Sequence, residues 1–164
     1  GDAKLFVDGF VAGAKNARPD VQVNVTFTGS FSDVSLMASA AETHIAAGAD
    51  MLTGSSQSVV GAIGVAKDKG AYWFGTQWEQ TPVGPETVVA TQVFDWTIVI
   101  RDMVKSVRAG VLGGKAYTLT FKNGGLKLVY NDKVPVPDDI KAKAQETING
   151  IMNGTIDPLS GPKQ

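Results

Sequence analysis

The sequence predicts an α/β protein built on a mostly parallel sheet with flanking helices. Three observations carry that prediction. Residues 49–80, ADMLTGSSQSVVGAIGVAKDKGAYWFGTQWEQ, read as strand, polar turn, helix, glycine stop, strand and polar turn. A strand–helix–strand unit of this size joins parallel strands through a right-handed crossover. Residues 21–27, VQVNVTF, alternate apolar and polar, the period of a strand with one covered face. Helical and strand patterns then take turns along most of the chain.

In chain order, Phe6, Phe10, Val11 and Ala14 give residues 2–17 an apolar helical face, with Asp2 as its cap and Pro19 ending the segment. Strand 21–27 follows. A helix over 34–47 starts from Ser32 or Asp33 and stops at Gly48. Strand 50–52 runs into Thr53-Gly54-Ser55-Ser56. Ser58 caps the next helix, which Gly70 ends after Lys67 and Lys69. Strand 71–74 leads to the turn 75–80, and Pro82, Gly84 and Pro85 mark a loop. Residues 88–94 form a further strand. Asp95 opens a helix that Gly110 closes. Residues 115–121 and 126–130 predict a hairpin around Asn123-Gly124-Gly125. A last helix covers 138–152, with Asp138 and Asp139 in the first turn, where the helix dipole favours acids. Gly154 stops it, and 160–164 read as a loose tail.

Composition narrows the function. With 43% apolar and 19% charged residues, the chain is globular rather than disordered. A net charge of −1 without a basic block argues against a nucleic-acid partner, which would need clustered Lys and Arg for phosphates. No apolar run is long enough to span a bilayer. The absence of cysteine removes disulfides, thiolate metal sites and Cys nucleophiles, and fits an exported protein. No signal peptide is present, and the chain opens on Gly1 rather than Met, so a processed form or a piece of something longer is expected. A helix at the start of an α/β chain points the same way, because such a helix normally crosses over from a preceding strand.

Ligands of open parallel sheets bind beyond the carboxyl ends of the strands. The turns 53–58 and 75–80 therefore share the edge where a site belongs. Ser55, Ser56, Gln57 and Ser58 lie at a helix N-terminus, where backbone amides suit polar groups; plain capping is the alternative role. No Gly-Lys-Ser/Thr follows, so this is not a phosphate loop. His44 is the lone histidine and sits mid-helix without a carboxylate at a useful spacing. No catalytic residue and no metal site is predicted, since no donors cluster and no GxSxG occurs.

DGFVAGAKNARPDVQVNVTFTGSFSD, AGADMLTGSS, GVAKDKGAYWFGTQ and KAKAQETINGIMNGTI resemble, in that order, the basic membrane protein family. TGSF at 28–31, spaced from AGAD at 47–50 and KDKG at 67–70, carries most of the resemblance. The family comprises substrate-binding lipoproteins of ABC transporters, purine nucleoside receptors among them. What it implies is a type I periplasmic-binding fold, in which two α/β lobes joined by crossing strands close on a ligand.

On that pattern the first lobe is largely missing here. Residues 1–86 form the second lobe without its first strand, 87–130 cross back toward the first lobe, and 131–164 are the C-terminal helix and tail. The absent strand would lie between 21–27 and 51–54. Its loss implies either a gap in the sheet or a rearranged pairing.

The resemblance also names residues. Phe31 matches an aromatic that stacks on the ligand's base; its plainer role is to staple helix 34–47. Gln77 stands where nucleoside-binding members have an Asp for sugar hydroxyls, and Asp95 where they often have a Lys. Both departures put a purine nucleoside in doubt while leaving the scaffold intact. Trp78 offers a second stacking face. The glycines of the family's GGTG turn are replaced by Ser55, Ser56 and Gln57.

The implied function is capture of a nucleoside-like or other small heterocycle and its delivery to an ABC permease, without cofactor or catalysis. The implied location is the periplasm or cell surface, with membrane contact only through a lipid anchor absent from this chain. The alternatives are a nucleoside-processing enzyme and a ligand-sensing regulatory module on the same scaffold.

Overall fold

The computed structural model describes residues 2–159 and 161–162. The side chain of Asp2, expected as a cap, and Ser160, Lys163 and Gln164 of the expected loose tail lie outside the described residues. The elements are α1 (Asp2–Ala17), α2 (Val34–Ala46), β1 (Met51–Thr53), α3 (Val59–Lys69), β2 (Tyr72–Gln77), β3 (Val88–Phe94), α4 (Thr97–Arg108), β4 (Leu126–Tyr130), α5 (Asp138–Asn153), β5 (Ile156–Asp157) and β6 (Gly161–Pro162).

The main sheet has the order β1-β2-β3-β4. β1 pairs with β2 and β2 with β3 in parallel; β4 runs antiparallel on β3. Helix α3 is the crossover between β1 and β2. The sheet is thus mostly parallel, with helices flanking it, as the 49–80 pattern requires.

Helix ends follow from the glycines. Gly48, Gly70, Gly110 and Gly154 all have φ between 72° and 94°, a conformation that costs a side chain. In each case the next amide reaches back to a carbonyl of the last turn: Ala49 to His44, Ala71 to Ala66, Val111 to Ser106 and Thr155 to Gly150. This satisfies orphan carbonyls and turns the chain sharply. At the other end of α2, the Asp33 carboxylate accepts from Leu36 N at 3.0 Å.

The core lies between the sheet and the α2–α3 pair. It contains Ala41, Leu52, Val59, Ala62, Ile63, Ala66, Ala71, Trp73 and Val88, with Met37 and Ile45 packed against it. The two helices approach closely because residue 61 is glycine. A Cβ there would lie 2.4 Å from Val34 O. On the opposite sheet face, the Phe10 ring of α1 meets Phe74 at 6.5 Å, and Phe6 meets Phe10 at 6.3 Å.

Two expected strands do not form. Residues 21–27 make no ladder, and Val25 and Phe27 are exposed. Alternation gives a segment the pattern of a strand, but a strand also needs a neighbour to bond its backbone. Among the described residues no rearranged pairing closes the sheet, and β1 keeps one open edge. Residues 115–121 are likewise irregular, because the Asn123 side chain takes their backbone groups. Its Oδ1 accepts from Thr120 N and its Nδ2 donates to Thr118 O; the segment's backbone keeps the turn bond Gly124 N to Phe121 O and Leu126 N to Thr120 O. The Asn-Gly-Gly turn exists, with Gly124 at φ 76°, but β4 finds its ladder on β3 instead.

Two glycines of α3 make a matched test. Gly61→Ala should lower stability by about 1–3 kcal/mol, since the added methyl meets the α2 backbone. Gly64→Ala, with nothing within 4 Å of the new Cβ, should raise it by about 0.5–1 kcal/mol through helix propensity. Chemical denaturation of both variants checks the pair; equal effects would remove the close-approach argument.

Candidate functional site

Parallel pairing brings the ends of β1, β2 and β3 to one edge of the sheet. Three hydrogen bonds stitch the first two together there. Thr53 Oγ1 donates to Phe74 O at 2.8 Å, Thr76 Oγ1 to Gly54 O at 2.7 Å, and Gln77 Nε2 to Ser55 Oγ at 3.1 Å. The turns 53–58 and 75–80 therefore share one rim. β2 runs further than the sequence indicates, through Gly75, Thr76 and Gln77, so Gln77 ends a strand rather than sitting in mid-turn.

The core fixes this rim. Trp73 is buried, and its Nε1 donates to Gln80 Oε1 at 2.7 Å. Gln80, also buried, donates through Nε2 to Thr76 O at 2.7 Å. Residues 75–80 are thus folded back over β2. Gly75 makes room for this: a Cβ there would lie 2.5 Å from Thr91 Oγ1 and 2.9 Å from Gln80 Oε1. Gln77 takes φ +73°, the left-handed region, alone among the described non-glycine residues. Such a conformation costs on the order of 1–3 kcal/mol and persists where surrounding contacts enforce it.

A third loop joins the rim from α2. Gln57 N donates to Phe31 O at 3.0 Å, which seats residues 28–33 beside 53–58. Ser30 Oγ accepts from the amides of Ser32 and Asp33, and Thr28 Oγ1 donates to Ser30 O, so the loop is tied internally. The Phe31 ring is left 63% exposed, and Trp78 44% exposed. Flat apolar faces held open beside hydrogen-bonding groups suit a planar heterocycle.

The four residues of the 55–58 turn divide. Ser55 faces Gln77. Gln57 is exposed and spends its amide N–H on Phe31. Ser56 and Ser58 are buried, with their hydroxyls 2.9 Å apart, and Ser58 N donates to Ser56 Oγ. Ser58 holds the cap position of α3 but makes no side-chain cap bond, contrary to the expected capping. Its hydroxyl is committed to Ser56.

Asp95 lies past the end of β3, on the same edge. It precedes α4, which starts at Thr97 rather than at Asp95. Its Oδ2 accepts from Lys127 Nζ at 2.6 Å and its Oδ1 from Thr97 N at 3.0 Å. These bonds, Lys127 first, hold its carboxyl at about 2, below the usual 3.8. The carboxylate thus serves α4 and β4. Next to it, Trp96 is 55% exposed and meets Phe94 edge-on at 6.0 Å. Trp96 is not among the rim residues expected from the sequence; its signal there is an aromatic just beyond a parallel strand end.

His44 is half-buried in the last turn of α2 rather than at its middle. Among the described residues no group of three or more His, Asp or Glu is placed to hold a metal ion. No described helix is long and apolar enough to cross a membrane. A groove of about 490 Å³ lies elsewhere, lined by Val7, Val11, Val25, Phe27 and Leu159 among others, and shares no residue with the rim.

Residues 2–157 match the family model described as ABC transporter substrate-binding protein PnrA-like. A purine-binding protein of Brucella abortus is 31% identical over 156 residues, covering 95% of this chain and 44% of that protein. Basic membrane protein D of Borreliella burgdorferi is 31% identical over 157 residues, covering 92% and 46%. An ABC transporter nucleoside-binding protein of Lactococcus lactis is 26% identical, covering 87% and 46%. The chain spans about half the length of these relatives. Among solved structures, an ABC transporter solute-binding protein from Aeropyrum pernix superposes with a TM-score of 0.76 at 21% identity, over 92% of this chain and 51% of that one. Another, from Conexibacter woesei, gives 0.74 at 24% identity, over 92% and 50%. These likenesses show the fold.

The Asp95–Lys127 pair has a defined pH signature. A carboxyl held below its unfolded value stabilises the fold above about pH 3.8, and that contribution is lost as pH falls through about 2. NMR titration should give Asp95 a midpoint near 2, and Lys127→Met should move it up toward 3.8. A midpoint unmoved by the substitution would assign the effect to Thr97 instead.

Proposed function

We propose a ligand-capture role for this chain, which belongs to the PnrA-like family of ABC transporter substrate-binding proteins. It binds a small, polar, flat heterocycle of the nucleoside or nucleobase type and performs no chemistry on it. The observation that carries this reading is the shared rim. The ends of the parallel strands β1 and β2 and the loop before α2 hold Phe31, Ser55, Gln77 and Trp78 on one edge, with two aromatic faces open beside an amide and a hydroxyl. The purine-binding and nucleoside-binding relatives support the ligand class.

In this proposal the rim is one wall of a cleft, and closure against a second lobe completes the site. The segment 87–130 crosses to that lobe. The outward apolar residues of α4, namely Ile100, Met103, Val104 and Val107, support this role, since they are exposed in the present chain. The ligand is then passed to an ABC permease. The protein works outside the cytoplasmic membrane, in the periplasm or at the cell surface, held there by a lipid anchor on another part of the polypeptide.

A thermal-shift screen of nucleosides and bases against the protein at its full encoded length tests the reading. A ligand at a hundred times its Kd adds about 2.7 kcal/mol of stability, seen as a clear rise in Tm. Phe31→Ala should weaken a ligand that scores by about tenfold, the value of one stacking face. It should leave the unliganded Tm nearly unchanged, because the ring is mostly in solvent. A panel in which nothing raises Tm removes the heterocycle assignment.

A further inference from the structure

We infer that the Gln77–Ser55 pair sets the specificity of this rim, selecting an uncharged donor–acceptor edge, as on a free heterocyclic base or a primary amide, over a sugar diol or an anion. The inference rests on the capture role proposed above and narrows its ligand.

The argument starts from how the two side chains are held. Gln77 sits at the last position of β2 in the left-handed region. The backbone is pinned on either side by Thr76 Oγ1 on Gly54 O and by Trp78 N on Thr76 O, at 2.7 and 2.9 Å. The amide is then fixed by its Nε2 bond to Ser55 Oγ. That bond uses one N–H of the amide and one lone pair of the hydroxyl. It leaves the Gln77 carbonyl oxygen as acceptor, and the second amide N–H and the Ser55 O–H as donors. Both groups are neutral. An amide that offers acceptor and donor side by side pairs in bidentate fashion with an amino-heterocycle edge, as glutamine does with adenine.

Charge points the same way. Residues 53–58 carry no charged side chain, and 75–80 carry Glu79 alone. Glu79 Oε1 accepts from Thr81 N at 2.9 Å. The other acids at this edge are also engaged: Asp95 is tied to Lys127 and Thr97, and Asp33 accepts from Leu36 N. The rim therefore has no spare cation for a phosphate or carboxylate, and its acids repel one. A sugar diol would gain most from a carboxylate acceptor, because hydrogen bonds to charged groups are the stronger ones. A neutral amide lacks that advantage. The exposed Phe31 ring beside Gln57 then supplies the face on which a flat base or aromatic amide lies.

Titration calorimetry on the protein at its full encoded length tests this, with adenine, nicotinamide, adenosine and adenosine monophosphate as probes. Adenine or nicotinamide should bind at least tenfold tighter than adenosine, and the monophosphate weakest; the first two arms separate a base from a simple amide. Gln77→Asp, tolerated at this φ, should shift the adenine-to-adenosine ratio about tenfold toward adenosine. Ser55→Ala should weaken the preferred probe about threefold or more while leaving the circular dichroism spectrum and Tm in place. Adenosine binding as tightly as adenine and nicotinamide would overturn the inference and leave heterocycle capture standing. So would a ratio unchanged by Gln77→Asp in a variant that keeps the wild-type Tm. Four silent probes, with another heterocycle raising Tm in the screen, would overturn the inference alone; a silent screen as well would end both readings.

Discussion

The hydrogen bond from the Trp73 indole to Gln80 ties the middle of this molecule to its working edge. The indole lies in the apolar layer between the sheet and the α2–α3 pair, where its one polar atom needs a partner. Gln80 supplies it and, through its other end, holds the backbone of Thr76. A buried glutamine satisfied at both ends is rigid, and a broken contact there would strand polar groups in an apolar setting. Residues 75–80 thus have one place to go. Gln77 is carried into a strained conformation, and Gln57, from the neighbouring turn, brings the Phe31 loop alongside.

Other side-chain amides do similar work further along the chain. Asn131 donates to Pro85 O and Val88 O and accepts from Lys133 N, joining the proline loop, β3 and the turn after β4. Asn123 organises the turn before β4 from within. In both places a side chain replaces the pairing that a regular element would give. The loops are accordingly defined by specific polar contacts more than by apolar burial.

Much of this was legible in the sequence, and the parts that were not share a cause. The strand–helix–strand unit, the glycine stops and the Asp33 cap are local features, written in spacing and in residues with strong conformational preferences. Ser55 and Gln77 could be placed on one edge because direction follows from the crossover. What failed depended on partners far away in sequence. Residues 21–27 have strand character and nothing to pair with. Residues 115–121 lose the Thr120 amide and the Thr118 carbonyl to Asn123. Gln80 could not be recognised as a buried clamp, because its role exists only once Trp73 is inside. Ser58 carried a cap signature, yet a neighbouring hydroxyl claimed it.

The outer side of β1, a strand of three residues, has no partner among the described residues. Open strand borders attract any extended segment that can match their amides and carbonyls. Residues 21–27, with their unused alternation, are one such segment within every molecule. Brevity limits how firmly such docking could hold. At high concentration the chain by itself would consequently favour loose, reversible oligomers built by strand exchange, and a polypeptide that covers this border would stay monomeric.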